Sequence, residues 1–249
     1  MKFVGSKNRI SKYIAPILQK CLDNNNAAGY YEPFFGGGNM MDKIVHKNRW
    51  GSDIHEELIW MWKYLIERGE EGVKEFFPDF TIEEDVYLDV RDNKSEYPKW
   101  FVGFVGFHAT FGSRYFEGYA RGFKADKVTR RDIPAESIRN TIKQLPRLKG
   151  VHLNCCSYKD CNTSMRNFVV YCDPPYFGTE LYKHNDIDVN FFWEWVRKLS
   201  KDNWVFVSEY VAPKDFSILW QKEVKTSLKI DEPENRVEKL FIYKNGRNI

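Results

Sequence analysis

Apolar residues recur at helical spacing near the start of the chain, at Ile10, Ile14, Ile17 and Leu18. They predict a helix over about 6–22, with Ser6 as its cap and Pro16 as a kink or an early end. A polar run over 23–29 reads as a loop and 30–34 (Tyr-Tyr-Glu-Pro-Phe) as a short strand. After Gly36, Gly37 and Gly38 the pattern predicts a helix over 39–45, a strand over 49–52 ending at Asp53, and an amphipathic helix over 56–65. Strand, glycine turn, helix and a strand ending in an acid is the order of a nucleotide-binding α/β unit. Between about 67 and 150 the alternation stops: helices are expected near 71–77, 83–91, 99–110 and 134–145, around an irregular stretch over 112–131. It resumes with strands over 151–155 and 167–172, a helix over 191–200 and a strand over 204–208. A short helix over 213–220 and two strands near 223–228 and 237–243 complete the pattern; a polar loop containing Pro233 would leave that last pair antiparallel.

With 43% hydrophobic and 16% aromatic residues in 249, the chain can build a substantial core, which excludes a disordered chain and a small disulfide scaffold. A net charge of +3 gives no global basic field. The excess is local: residues 112–131 hold Arg114, Arg121, Lys124, Lys127, Arg130 and Arg131 against Glu117 and Asp126, a charge of +4 that leaves −1 for the rest. Phe111, Tyr115, Phe116, Tyr119 and Phe123 are interleaved with those bases. Five cysteines without a C-x-x-C pair fit free thiols in a reducing compartment. The first residues lack the apolar stretch of a signal peptide, and the most apolar run, 100–111, falls short of the roughly 20 residues a membrane span needs. The expectation is a soluble, cytoplasmic protein.

The glycine turn lets a backbone approach a cofactor closely and offers free amides. Asp53 can accept hydrogen bonds from ribose hydroxyls, cap the helix after it, or do both. The most specific signal is Asp173-Pro174-Pro175-Tyr176, directly behind an apolar strand. Two prolines stiffen the backbone and leave its carbonyls free. An acid, a held carbonyl and an aromatic ring suit a planar group that bears an amino donor. His152, Cys155, Cys156 and Cys161 have no metal-ligand spacing and read as core or loop residues, so no metal is expected.

These residues resemble the adenine-N6 DNA methyltransferases of the Dam (alpha) type. Asp173-Pro174-Pro175-Tyr176 is similar to that family's catalytic motif, Phe34-Phe35-Gly36-Gly37-Gly38 to its F-x-G-x-G cofactor motif, and Glu32-Pro33 to the residues before it. Lys2-Phe3-Val4-Gly5-Ser6-Lys7 is similar to the N-terminal K-W-x-G-G-K, Asp53 to the ribose-binding acid of D-I-N, and Ser157-Tyr158-Lys159-Asp160 to S-F-x-D, whose acid contacts the cofactor adenine. Ser6, Phe3 and His55 depart from the family's glycine, tryptophan and asparagine, and none of the three touches the chemistry.

The resemblance implies an α/β fold: a class I S-adenosylmethionine-dependent, Rossmann-like sheet from 1–66 and 150–249, with a mainly helical DNA-recognition domain inserted at 67–149. It implies S-adenosylmethionine held by Phe3, Lys7, Phe34, Phe35, Gly36, Gly38, Asp53, Tyr158, Asp160 and Asp173. Asp173 and the Pro174 carbonyl would take the two amino hydrogens of an adenine flipped from double-stranded DNA, with Pro175 and Tyr176 completing the motif and Tyr176 stacking on the base. GATC is the target the resemblance suggests, and a bacterial or phage-encoded, nucleoid-associated enzyme is the expected setting. Arg114, with Tyr115 after it, and Arg121 are candidates for guanine edges, and Lys124, Lys127, Arg130 and Arg131 for phosphates. The alternatives are cytosine-N4 methylation, methylation of an RNA or protein amino group, and a DNA-binding protein that keeps the fold without turnover. Relatives of the first two kinds usually carry Ser or Asn where Asp173 stands.

Overall fold

The structure, a computed structural model, describes residues 1, 3, 5–123, 128–161, 164–176, 187–225 and 235–247. Near the start Ser6 Oγ accepts from the Asn8 N–H and caps a 3₁₀ turn, Lys7–Arg9, before the first helix, α1 (Ser11–Asn24), begins. α1 runs through Pro16 to Asn24, so the expected early end does not occur. Burial of Ile14, Leu18, Cys21 and Leu22 along one face offsets the backbone bond that proline removes.

Seven strands form a mixed sheet in the order β3-β2-β1-β4-β5-β7-β6. They are β1 (Gly29–Glu32), β2 (Arg49–Asp53), β3 (Val151–Cys155), β4 (Phe168–Cys172), β5 (Trp204–Glu209), β6 (Phe216–Lys225) and β7 (Asn235–Tyr243). β1 runs parallel to β2 and β4, with Tyr31 opposite Trp50 and Val170, and β4 runs parallel to β5, with Cys172 opposite Val207. β7 is antiparallel to β5 and to β6, as the polar connection suggested. Val169 to Cys172 and Trp204 to Val207 are buried throughout, the near-continuous apolar run of strands covered on both faces.

Two predicted helices are absent. Over 39–45 there is only a 3₁₀ turn, Met41–Lys43. Gln19 ties the chain beyond it to α1, its Nε2 donating to the Val45 carbonyl (3.1 Å) and its Oε1 accepting the Val45 N–H (2.9 Å). Residues 213–220 are not a helix, because β6 starts at Phe216. A register shift between Ile218 and Trp220 sets Ile218, Leu219 and Trp220 in succession and breaks the two-residue period.

The other helices are α2 (Glu56–Lys74), α3 (Glu84–Asp92), α4 (Lys99–His108), α5 (Ile133–Ile142), α6 (Leu145–Leu148) and α7 (Val189–Leu199). α2 absorbs much of the helix expected at 71–77, with a break at Gly69 (φ 63°). Packing divides the chain into two compact units: 1–11, 35–43 and 52–156 in the first, and 12–34, 44–51 and 157–249 in the second. In the first, α2 and α4 meet so closely that a Cβ on Gly103 would lie 2.2 Å from the Glu57 carbonyl oxygen. Tyr64 and Trp100 stack across the same contact with ring centres 3.7 Å apart. In the second, α7 buries Phe192, Trp195 and Val196. Among the described residues no helix is long and apolar enough to cross a membrane, and no three His, Cys, Asp or Glu side chains gather as a metal site.

Candidate active site and nucleic-acid interface

In the first unit the chain turns through Gly36 (φ 49°) and Gly38 (φ 63°), left-handed conformations that side chains disfavour. Phe3 lies on this turn: a Cβ at Gly37 would be 2.8 Å from the Phe3 Cβ, and one at Gly36 would be 3.0 Å from its ring. The turn's carbonyls are held from elsewhere. Trp62 Nε1 donates to the Gly36 carbonyl (3.0 Å), and Gln144 Nε2 donates to those of Gly37 (3.1 Å) and Gly38 (2.8 Å). Asn39 Nδ2 donates to the Met1 carbonyl and to Ser6 Oγ, each at 2.9 Å. Lys7 is buried, its Nζ donating to the Gly5 carbonyl at 3.1 Å.

Asp53 ends β2 beside that turn. Its Oδ2 accepts the Gly36 N–H (2.9 Å) and its Oδ1 the His55 N–H (3.0 Å). Burial pushes its pKa up, while these amides pull it down. Asp53 is not the residue that caps α2: the cap position is His55, whose side chain makes no capping bond. Two amides leave part of the carboxylate's four-fold acceptor capacity for a ligand. Phe3, Phe35, Gly36, Gly38 and Asp53 are thus gathered in this unit. Trp62, Asn39 and Gln144, which hold them, escaped the sequence reading. Trp62 looks like core in the sequence, and nothing there links the two amides to the glycines.

In the second unit Asp173 stands directly after β4, half-buried, and Pro174 behind it is buried. Tyr171 and Ser208 share a hydrogen bond (Oη to Oγ, 2.8 Å) between β4 and β5. Tyr176 is buried at 7% exposure; its Oη donates to Glu238 Oε2 (2.5 Å) and its ring meets Tyr210 edge-on at 4.4 Å. Burial, and next the Asp173 charge, push the Tyr176 phenol well above its usual pKa, so it stays a donor. Phe34 packs on Tyr158 (5.4 Å) and Phe192 (6.0 Å). Tyr158 is buried, and burial, with Asp188 adding to it, pushes its phenol up to about 12. Asp160 closes the 3₁₀ turn Tyr158–Asp160 and is exposed.

The basic stretch belongs to the first unit. Antiparallel bridges join Thr110 to Tyr119 and Phe123 to Arg130. Three of the predicted contact residues face acids: Arg114 pairs with Glu117 (3.4 Å), Arg121 with Glu84, and Arg131 with Glu136. Arg130 is exposed and has no acidic partner among the described residues. Lys124 and Lys127 lie outside the described residues. Tyr115 is packed between His55 (4.5 Å), Phe107 (5.1 Å) and Phe116 (4.8 Å), and burial pushes its phenol up to about 12. Lys94 sits over the rings of Tyr115 (4.8 Å) and Phe116 (4.7 Å), a cation placed there from outside the basic stretch. Phe111 is 69% exposed.

A family profile described as D12 class N6 adenine-specific DNA methyltransferase matches residues 3–194. No curated protein matches the chain. Among solved structures the chain is similar to SMU.472, described as a candidate methyltransferase complexed with SAH, at 12% identity and a TM-score of 0.32. That match covers 89% of this chain and 48% of the other, so the chain spans about half its length.

Proposed function

The chain belongs to the D12 class of N6 adenine-specific DNA methyltransferases, and from that membership we propose that it methylates N6 of an adenine flipped out of duplex DNA, with GATC the first target to test. Its mixed seven-stranded sheet with flanking helices is an α/β class I methyltransferase fold, and its methyl donor is S-adenosylmethionine. The observation that carries the reading is Asp173-Pro174-Pro175-Tyr176 at the carboxyl end of β4, where open α/β sheets bind ligands.

The residues suit an adenosyl group. A Cβ at Gly37 would be 2.8 Å from the Phe3 Cβ and 2.7 Å from Asn39 Nδ2, so the turn is packed closely enough to favour bare backbone there. Asp53 offers the acceptor that ribose hydroxyls need. The donor-binding residues of this reading are those that the family resemblance implies: Phe3, Lys7, Phe34, Phe35, Gly36, Gly38, Asp53, Tyr158, Asp160 and Asp173. When bound, the donor supplies an electrophilic sulfonium methyl.

The adenine amino group is a weak nucleophile because its lone pair is delocalised into the ring. The Asp173 carboxylate and the Pro174 carbonyl accept its two hydrogens and draw the nitrogen toward a tetrahedral shape, localising the pair for in-line attack. Tyr176 supports the flipped base by stacking. Unstacking costs a few kcal/mol, which contacts to the duplex must offset. Residues 67–149 form the recognition segment in this reading, with Arg114 and Arg121 toward base edges and Arg130 and Arg131 toward phosphates.

The test is to incubate the protein with unmethylated DNA and S-adenosylmethionine, hydrolyse to nucleosides and quantify modified bases by mass spectrometry. N6-methyldeoxyadenosine is expected; N4-methyldeoxycytidine alone, or no modified base, overturns the reading. Asp173→Ala should lower turnover by about 10²–10³-fold while donor binding is retained.

A further inference from the structure

Tyr176 is the one aromatic residue of the D-P-P-Y tetrapeptide, and its ring orientation is not left to the tetrapeptide. β7 holds it. Glu238, half-buried on β7, accepts the Tyr176 O–H at 2.5 Å. Two neighbours on the same strand contact Tyr210, the residue whose ring Tyr176 meets. Lys239 Nζ donates to the Tyr210 carbonyl (2.9 Å), and the Arg236 guanidinium lies 5.5 Å from the centre of the Tyr210 ring. Tyr210 in turn meets Tyr176 edge-on. β7 is itself fixed by antiparallel pairing on both sides, with Glu209 of β5 and Gln221 of β6 both opposite Lys239.

We propose that Glu238 is a positioning residue for methyl transfer: through its hydrogen bond it fixes the Tyr176 ring against which the flipped base stacks. Glu238 lies beyond residues 3–194, the part of the chain that the family profile matches. The inference rests on the proposed function and adds to it a determinant from the terminal strand. A phenol that burial keeps protonated remains a donor to this carboxylate. The hydrogen bond to Glu238 and the edge contact with Tyr210 together restrain the ring's orientation. Without the bond it can rotate and shift, and displacements of about 1 Å near a reacting centre cost as much as 10²-fold in rate.

The experiment measures kcat, the donor dissociation constant and the fluorescence of 2-aminopurine at the target position in wild type, Glu238→Leu, Glu238→Gln, Tyr176→Phe and the Tyr176→Phe/Glu238→Leu double variant. Glu238→Leu should lose about tenfold or more in kcat, with donor binding unchanged and 2-aminopurine emission raised because the flipped base is less well stacked. Glu238→Gln keeps an acceptor for the phenol and should recover most of the rate. Tyr176→Phe keeps the ring but lacks the donor, so adding Glu238→Leu to it should change nothing further. A kcat for Glu238→Leu within twofold of wild type, or losses that multiply in the double variant, overturns the proposal. If Glu238→Leu does not fold, Glu238→Asp decides in its place, since its shorter side chain withdraws the acceptor and must show the same loss. Wild type without adenine methylation removes the underlying function; active wild type with unaffected variants removes only the role of Glu238.

Discussion

A carboxyl group that burial makes harder to ionise is a poor choice for stability and a good one for holding hydroxyl groups. Asp53 is such a group, raised above the ordinary 3.8 by its surroundings despite the amides of His55 and Gly36. The linkage has a definite sign: protonation of Asp53 favours the fold below the ordinary value, and that contribution is lost as pH rises through the raised one. At neutral pH the ionised side chain therefore opposes folding, and in the proposed function its use is to accept hydrogen bonds from the donor's ribose. Donor affinity should consequently fall on acidification at a pH above that of an ordinary aspartate. In Asp53→Asn it should be weaker by about tenfold, one charge-assisted bond, and flat with pH. Calorimetry from just above the ordinary aspartate value, about pH 4, up to neutrality reads this, and a variant with the same slope as wild type would show that another group titrates. The place of Asp53 at the end of β2 was legible from the pattern. Gln144 was not, because the carbonyls it holds lie more than a hundred residues away and only the fold joins them.

Elements were legible where burial is two-sided and the backbone regular. β4 and β5 read as strands because uninterrupted runs such as Phe168-Val169-Val170-Tyr171-Cys172 have few alternatives. β6 did not, since the register shift after Ile218 hides its period. The basic stretch was legible as charge but not as geometry: among the described residues Arg114, Arg121 and Arg131 face acids and Arg130 does not. Exposed ion pairs contribute only about 0–1 kcal/mol, so Arg131 can exchange Glu136 for a phosphate at small cost. In binding titrations over a range of salt, Arg130→Ala should reduce the slope of log affinity against log salt by about one. Glu136→Gln, which weakens the hold on Arg131, should steepen it and raise non-specific affinity. Slopes equal to wild type in both variants would move the phosphate contacts off this stretch.

At the scale of the molecule, the change of pattern near residues 67 and 150 is plain in the sequence, but what the intervening helices pack against is not. An amphipathic helix announces its apolar stripe without naming the surface that covers it. α4 of that segment is covered largely by residues that precede it: Gly103 abuts the Glu57 carbonyl, Trp100 stacks on Tyr64, and Lys99 pairs with Glu56 at 2.6 Å. The compact unit accordingly runs from Ser52 to Cys156 and recruits residues 1–11 and 35–43. A segment that folds alone needs its own core, and 67–149 leaves behind the half of α2 that buries Leu58, Ile59, Met61, Trp62 and Leu65. A fragment of 67–149 should therefore show little helical circular dichroism and no cooperative melting, whereas 52–156, which restores all of α2, should regain a thermal transition. Cooperative unfolding of 67–149 by itself would mean that α3, α4 and α5 supply a sufficient core, and that recognition could be transplanted without α2.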